Sequence, residues 1–391
     1  MSDVRKPVNK KASPASPAAP PLPCSPAPLP QLDIIAGARP NFMKIAPIIE
    51  AIEARKQRGG RLDYRLIHTG QHYDRNMSGA FFEQLGIPEP AVNFGVGGGT
   101  QAEQAGGIMR AYEQLLAEQP SALCLVVGDV TSTMACAITA KKMGVRVAHV
   151  EAGIRSGDLT MPEEINRIVT DALTDYFFTT SETANTCLRG LGVPAERIFF
   201  VGNTMIDTLL KHRSRFQRPA CWETVGLTER GYLVLTLHRP ANVDQEDQLR
   251  ALMRAIVTHA RGMPLVFPVH PRTRAVLEKA GIAAPNLHLV EPLPYLEFNY
   301  LVERACGVIT DSGGITEETT VLGVPCLTLR DNTERPETVT LGTNELVGTD
   351  PAKVPPVMER LLGGQWKQGS IPPLWDGKTG ERIVAVLEQV L

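Results

Sequence analysis

The densest run of chemically useful residues is Asp311-Ser312-Gly313-Gly314-Ile315-Thr316-Glu317-Glu318, directly after the short apolar run Gly307-Val308-Ile309-Thr310. The apolar run reads as a buried strand and the polar run as the start of a helix. Two glycines at that junction let backbone N–H groups approach a ligand, and the helix aims the positive end of its dipole at the same point. Glu318, one turn in, is placed to reach a ribose whose phosphates rest on Ser312 and Gly313. This arrangement suits a nucleotide, and a nucleotide-sugar in particular. A plain helix N-cap without a ligand is the alternative, and the glycine pair alone does not separate the two.

Other strand ends carry polar residues of the same kind. Gly37-Ala38-Arg39-Pro40, with Lys44 in the first turns of the next helix, has the composition of a pyrophosphate clamp. Thr69-Gly70-Gln71-His72 crowds polar groups after a second strand. Gly128-Asp129 offers a carboxylate where strand gives way to helix, a place where Asp also serves as a cap. Glu151, in His149-Val150-Glu151-Ala152-Gly153, is a poorer cap and a better candidate for chemistry; His149, inside the strand, reads as a satisfied core histidine. Pro162-Glu163-Glu164-Ile165-Asn166-Arg167 opens a helix with two acids, which its dipole favours in any case. His238-Arg239 and Val269-His270 end two later strands, and Thr333-Glu334-Arg335-Pro336-Glu337 is a charged loop.

The elements that must position these groups alternate. Strand candidates at 32–36, 64–69, 122–127, 146–150, 176–180 and 197–201 are separated by helical patterns, and the alternation restarts at Tyr232–Leu237 after a break near 203–230. Such alternation predicts parallel sheets covered on both faces. The expected fold is α/β: two Rossmann-like doubly wound domains with the active site in the cleft between them. The expected boundaries are an N-terminal domain over 31–203 and a C-terminal, nucleotide-binding domain over 204–377. An amphipathic helix at 378–391 is expected to pack back on the first. Residues 1–30, rich in Pro and Ala, read as an extended, mobile tail.

The 391 residues suffice for two cores, and a net charge of -2 gives no footprint for nucleic acid or an anionic membrane surface. Seven cysteines, an odd number without a C-x-x-C pair, point to reduced core thiols in a cytoplasmic protein rather than to disulfides or a metal site. The basic N-terminus lacks the apolar stretch of a signal peptide, and no run approaches the roughly 18 apolar residues of a membrane span.

Taken together and in order, these motifs resemble the non-hydrolysing UDP-N-acetylglucosamine 2-epimerases from about residue 33 onward. The resemblance rests on Gly37-x-Arg39-Pro40-x3-Lys44, Thr69–His72, Gly128-Asp129, His149–Gly153 with Arg155, Pro162–Arg167, Gly202-Asn203-Thr204-x-Ile206-Asp207, His238-Arg239, Asp311–Glu318 and Glu334–Glu337. It implies a GT-B-like fold, a homodimer, and interconversion of UDP-GlcNAc and UDP-ManNAc for polysaccharide biosynthesis without metal or nicotinamide cofactor. It also implies elimination of UDP to 2-acetamidoglucal followed by re-addition. Asp129, Glu151, Glu163 and His238 match the family's catalytic set. Arg39, Lys44, Ser312, Gly313, Gly314, Glu318 and Arg335 match its UDP contacts, Phe298 lies beside the uracil position, and Gln71, His72 and Arg167 complete the substrate-binding set.

That chemistry needs most of its stabilisation, within the roughly 8–23 kcal/mol enzymes supply, at the departing diphosphate. Inversion at C2 needs proton-transfer groups on both faces of the sugar, which accounts for several carboxylates. The expectation is that Asp129 and Glu163 exchange that proton while Glu151 positions the sugar and nearby water. The chain departs from many bacterial members at Pro240-Ala241-Asn242, where they carry Arg-Glu, and at Leu293, where some carry Gln. Some members bind a second UDP-GlcNAc as an activator near the positions of Gln71 and His72; the altered loop after Arg239 argues against assuming that regulation. A GT-B glycosyltransferase, a hydrolysing epimerase and a UDP-sugar sensor stand as alternatives.

Overall fold

The computed structural model describes residues 31–70, 85–243, 245–269 and 271–391. Strands that are apolar along their whole length, such as Leu123–Val127, are buried along their whole length. That is the pattern of a parallel sheet covered on both faces.

The first sheet comprises β1 (Gln31–Ala36), β2 (Asp63–His68), β3 (Val92–Asn93), β4 (Leu123–Val127), β5 (Arg146–Val150), β6 (Tyr176–Thr179) and β7 (Ile198–Phe200), in spatial order β3-β2-β1-β4-β5-β6-β7. The second comprises β8 (Leu233–Thr236), β9 (Leu265–Pro268), β10 (Leu287–Val290), β11 (Gly307–Thr310), β12 (Cys326–Thr328) and β13 (Asn344–Leu346), in order β10-β9-β8-β11-β12-β13. Every recorded strand pair is parallel. In each sheet the chain winds outward one way and then restarts in the other direction, with switch points between β1 and β4 and between β8 and β11. Open α/β sheets leave a crevice at the carboxyl ends of the strands beside such switch points. The segments containing Lys44, Asp129, His238 and Ser312 leave those four strands.

Five helices matter for the site: α1 (Arg39–Lys56), α2 (Pro162–Leu173), α3 (Thr204–His212), α4 (Gly313–Leu322) and α5 (Thr379–Val390). Helix α1 begins at Arg39. Pro40 suits a first turn, and the Asn41 side chain accepts the N–H groups of Gly37 and Ala38 at 3.1 and 2.9 Å. Its amide donates to the Val127 carbonyl at 3.2 Å, which ties the β1 and β4 loops together.

Helix α3 joins the two halves. Met205 packs in the core of the first sheet, whereas Ile206 and Leu209 pack with Tyr232, Val234 and Trp375 in the second. Helix α5 closes the chain against the first half, with Ile383, Val384 and Leu387 fully buried in the core that also holds Ile45 and Ile48 of α1. The two helices meet at Gly380, where a Cβ would stand 2.4 Å from the Pro47 carbonyl oxygen.

The predicted strands and the predicted C-terminal helix fall within a few residues of the observed ones; the short strands β3, β10 and β13 and several helices of the second half, such as Glu246–His259 and Tyr295–Arg304, are not among those predicted. Most described cysteines are buried, and all are free. No described helix is long and apolar enough to cross a membrane. Leu387→Ala should lower the stability of the chain by about 2–5 kcal/mol, the usual cost of emptying a fully buried leucine site. Urea denaturation followed by circular dichroism measures it, and an unchanged midpoint would contradict the packing of α5.

Candidate functional site

A chain of buried charges crosses the cleft. The Lys44 ammonium, on α1, donates to Glu151 Oε2 at 2.7 Å. Arg335, from the loop after β12, donates through Nη2 to the same oxygen at 2.9 Å. Its Nε donates to Glu317 of α4, and Asn203 Nδ2 donates to that same Glu317 Oε1 at 2.9 Å. Glu151 follows β5 with a left-handed backbone, φ 71°, a conformation that costs a non-glycine residue about 1–3 kcal/mol and therefore needs support. Its N–H and that of Ala152 both donate to the Phe178 carbonyl, at 3.0 and 3.1 Å. Burial works against the Glu151 charge, but Lys44 and Arg335 outweigh it and hold the carboxyl down at about 2. Within this line of charges, Arg335 Nη1 and Glu151 Oε1 are buried without a partner among the described residues.

Above these charges lies a cavity of about 580 Å³. Lys44, Asp129 and Arg167 form its wall on one side, and Ser312, Gly313, Gly314, Glu318 and Arg335 form it on the other. Helix α4 points its N-terminus into this space, and Ser312, its cap residue, makes no side-chain capping bond. The first-turn amides and dipole are thus available to an anion. At the apolar end stand Leu293 and Phe298. Tyr295 Oη donates to Glu318 Oε1 at 3.0 Å, and burial pushes the Glu318 carboxyl up to about 7 in spite of that bond.

A second cavity of about 590 Å³ shares Arg239 with the first and is lined also by Glu163, His238, Asn242, Arg330 and Asn332. Asp311 organises its rim. It accepts the backbone N–H of His238 at 3.0 Å and of Arg239 at 2.9 Å, and the Asn242 amide at 3.1 Å. The His238 Nδ1 lies 2.7 Å from its Oδ1, and the ring itself is 60% exposed. Burial works to raise the Asp311 carboxyl, but His238 and the donated hydrogen bonds hold it below the usual range.

Asp129 does not cap the helix that follows, whose cap residue is Val130. It pairs instead with Arg167 Nη2, and Asn166 Nδ2 donates to its carbonyl at 2.8 Å. Arg167 Nη1 also reaches Glu164 at 2.8 Å, while Glu164 accepts the Ser156 and Gly157 N–H groups and shapes that loop. His149 is the core histidine expected, fully buried between Asp171 at 2.7 Å and the Gly128 carbonyl at 2.8 Å.

Of the residues singled out in the sequence, Lys44, Asp129, Arg167, Phe298, Ser312, Gly313, Gly314, Glu318 and Arg335 converge on the first cavity, and Glu163 and His238 on the second. Glu151 lines neither and lies beneath Lys44 and Arg335. Gln71, His72 and His270 fall outside the described residues, as does the Arg39 side chain. Sequence reasoning did not single out Glu334, whose carboxylate takes Arg330 at 2.7 Å through both Nη atoms and lies 3.7 Å from Arg167 and 3.9 Å from Arg239. It also missed Tyr295 and the roles of Glu317 and Asn203. Glu334, Glu317 and Asn203 did stand in quoted motifs, but nothing in spacing alone brings them to their partners. Among the described residues no group of three or more His, Cys, Asp or Glu side chains is arranged to hold a metal ion.

A family model described as UDP-N-acetylglucosamine 2-epimerase matches residues 54–388. A Methanocaldococcus jannaschii protein of that name is 39% identical over 370 residues, covering 91% of this chain and 98% of the relative. A Pseudomonas aeruginosa protein named UDP-2,3-diacetamido-2,3-dideoxy-D-glucuronate 2-epimerase is 40% identical over 318 residues, covering 80% and 87%. The crystal structure of the M. jannaschii UDP-GlcNAc 2-epimerase in complex with UDP-GlcNAc and UDP has a TM-score of 0.81 to this chain, at 39% identity, covering 92% of this chain and 99% of that one.

Glu318 makes stability depend on pH. Its carboxyl sits at about 7 in the fold against an ordinary 4.5, so the folded state holds the proton more tightly. Its contribution is whole at low pH and is lost as pH rises through 7. Glu318→Gln, which cannot ionise, should raise the melting midpoint over the parent at pH 8 and leave it near the parent's at pH 5. Thermal melts at both pH values test this, and an equal shift at both would contradict it.

Proposed function

This chain belongs to the UDP-N-acetylglucosamine 2-epimerase family, and from that premise we propose that it interconverts UDP-GlcNAc and UDP-ManNAc by the non-hydrolysing route. The observation that carries the proposal is the first cavity. One space holds a helix N-terminus without a side-chain cap, Lys44, an arginine with a buried nitrogen that has no partner among the described residues, and a buried carboxyl one helical turn further on. A diphosphate at Gly313 and Gly314 would meet backbone amides and Arg335 Nη1 from one side and Lys44 from the other. The ribose hydroxyls would reach Glu318, and the base would lie against Phe298 and Leu293.

The sugar then extends past Arg239 toward the second cavity, with Asp129 approaching it from one space and Glu163 and His238 from the other. The C1–O bond breaks and its electron pair leaves with UDP, while a carboxylate takes the C2 proton; the product is 2-acetamidoglucal. Re-addition runs the same steps in reverse, with the proton delivered to the opposite face of C2. Asp129 and Glu163 are assigned that exchange, and His238, steadied by Asp311, faces the departing diphosphate. Electrostatic stabilisation of the leaving group by fixed donors is the larger effect, and positioned acid–base groups add about 10²–10⁴-fold. Glu151, expected to position the sugar and nearby water, lines neither cavity and is assigned instead to act through the two cations it holds.

The name of the P. aeruginosa relative raises a uronate as an alternative sugar. A uronate in the second cavity would want a cation not already engaged. There Arg330 is held by Glu334 and Asn332, whereas Arg239 donates to the Asp311 carbonyl through Nε alone and is the cation such a carboxylate would meet. We place the enzyme in the cytoplasm as a homodimer; Ile165 and Ile168, exposed along the outer side of α2, are the apolar pair on which to test dimerisation. Ile168→Glu should shift the sedimentation coefficient to that of a monomer, and an unchanged dimer would exclude that surface.

Incubation of the pure protein with UDP-GlcNAc in D₂O should yield UDP-ManNAc with deuterium at C2, read by NMR. A glycosyltransferase or a sensor would yield neither, and net release of UDP and ManNAc would indicate the hydrolysing reaction. Asp129→Asn and Glu163→Gln should each slow C2–H exchange by about 10²-fold or more. Near-normal exchange in both would overturn their assignment.

A further inference from the structure

Glu317 borders the first cavity, yet its Oε1 is turned to two protein donors, Asn203 Nδ2 at 2.9 Å and Arg335 Nε. Asn203 is fully buried and stands where the chain passes from the first sheet into α3. Its Oδ1 accepts the Met205 N–H at 2.9 Å as the cap of α3. A serine would cap equally well; the second bond, to Glu317, is what requires the amide. Helix α3 in turn packs on both cores, so its first turn reports the placement of one half against the other.

We propose that Glu317 and Asn203 form a positioning pair that keys Arg335 to this crossover, presenting the guanidinium to the diphosphate only in the lobe arrangement that also brings Lys44 to it. The inference rests on the reaction proposed above. A guanidinium is planar and rigid, with its donors in fixed directions. Here one edge is held from its own lobe by Glu317 and another from across the cleft by Glu151 Oε2. With two edges fixed, the direction of the third nitrogen follows. That nitrogen is Nη1, the buried atom without a partner among the described residues, on a side chain that lines the cavity. Glu317 thus decides where the remaining donor points, and Asn203 ties that choice to the joint between the halves.

A merely structural Glu317 behaves differently from a positioning one. Replacing one partner of a buried ion pair is destabilising in itself, so stability alone does not discriminate. The discriminating quantity is the separation of binding from turnover. Glu317→Gln removes a negative charge beside the diphosphate, so UDP affinity should hold or rise, while turnover falls because Arg335 is no longer oriented. Asn203→Ser keeps a capping oxygen but is too short to reach Glu317, and it leaves the Glu317–Arg335 ion pair in place.

The experiment measures UDP binding by calorimetry and epimerisation of UDP-GlcNAc for the parent, Glu317→Gln and Asn203→Ser. The expected result is a loss of kcat of about tenfold or more in both variants, in line with the cost of small misplacements at a reacting centre, with UDP affinity in Glu317→Gln equal to or above the parent's. Parental kcat in the variants overturns the pair, as does UDP affinity falling in step with kcat. Should Glu317→Gln not fold, Asn203→Ser decides by the same criterion of kcat lost with UDP binding kept. A parent that binds UDP and epimerises while the variants match it sinks only this inference. A parent that binds no UDP sinks the reaction assignment and the pair together.

Discussion

A single carboxylate oxygen, Glu151 Oε2, accepts one cation from each half of the molecule: Lys44 at 2.7 Å and Arg335 at 2.9 Å. Buried ion pairs are poor sources of stability, because removing charges from water costs several kcal/mol per ion before any attraction is counted. Glu151 adds a left-handed backbone to that cost. An apolar contact would hold the halves together more cheaply. What the ion pair does instead is hold two cations close together at the bottom of a cavity, where the diphosphate of the proposed substrate would compete with Glu151 for them. In a low-dielectric site such fixed charges are worth far more to a developing anion than they would be in water.

The topology explains why such a point exists. Both sheets change winding direction, and each opens a crevice at the carboxyl ends of its strands. Facing each other, they bring the segments after β1, β4 and β5 against those after β8, β11 and β12. Helix α3 packs into both cores, and α5 returns to seal α1. The residues of the cleft are thus distributed over six strand ends that lie up to about 300 residues apart in the chain, yet each end needs only a short loop to reach it.

Much of this was legible in the sequence. Runs such as Leu123–Val127 and Arg146–Val150 announce buried parallel strands, because hydrophobicity without alternation is what a strand covered on both faces requires. Carboxylates and glycines set just after such runs announce the cleft. At Ser312-Gly313-Gly314 the sequence does not show that Ser312 makes no capping bond of its own. Asp129 is a similar case: its residue type suits a cap, but Arg167 has claimed it. The partners were hidden. Glu317 carries no assignment in the sequence beside the ribose-facing Glu318, and only packing turns it toward Asn203 and Arg335 while Glu318 meets Tyr295. Glu334 reads as loop charge until three arginines from different elements gather round it. Long-range pairing of this kind has no period and leaves no local mark.

The most direct measurement is a crystal structure of the protein soaked with UDP. The account predicts the diphosphate between the halves, within hydrogen-bond distance of the Gly313 and Gly314 amides and of Arg335 Nη1, with Lys44 turned toward it. UDP bound elsewhere, or bound in the cleft with Arg335 Nη1 still lacking a partner, would contradict it.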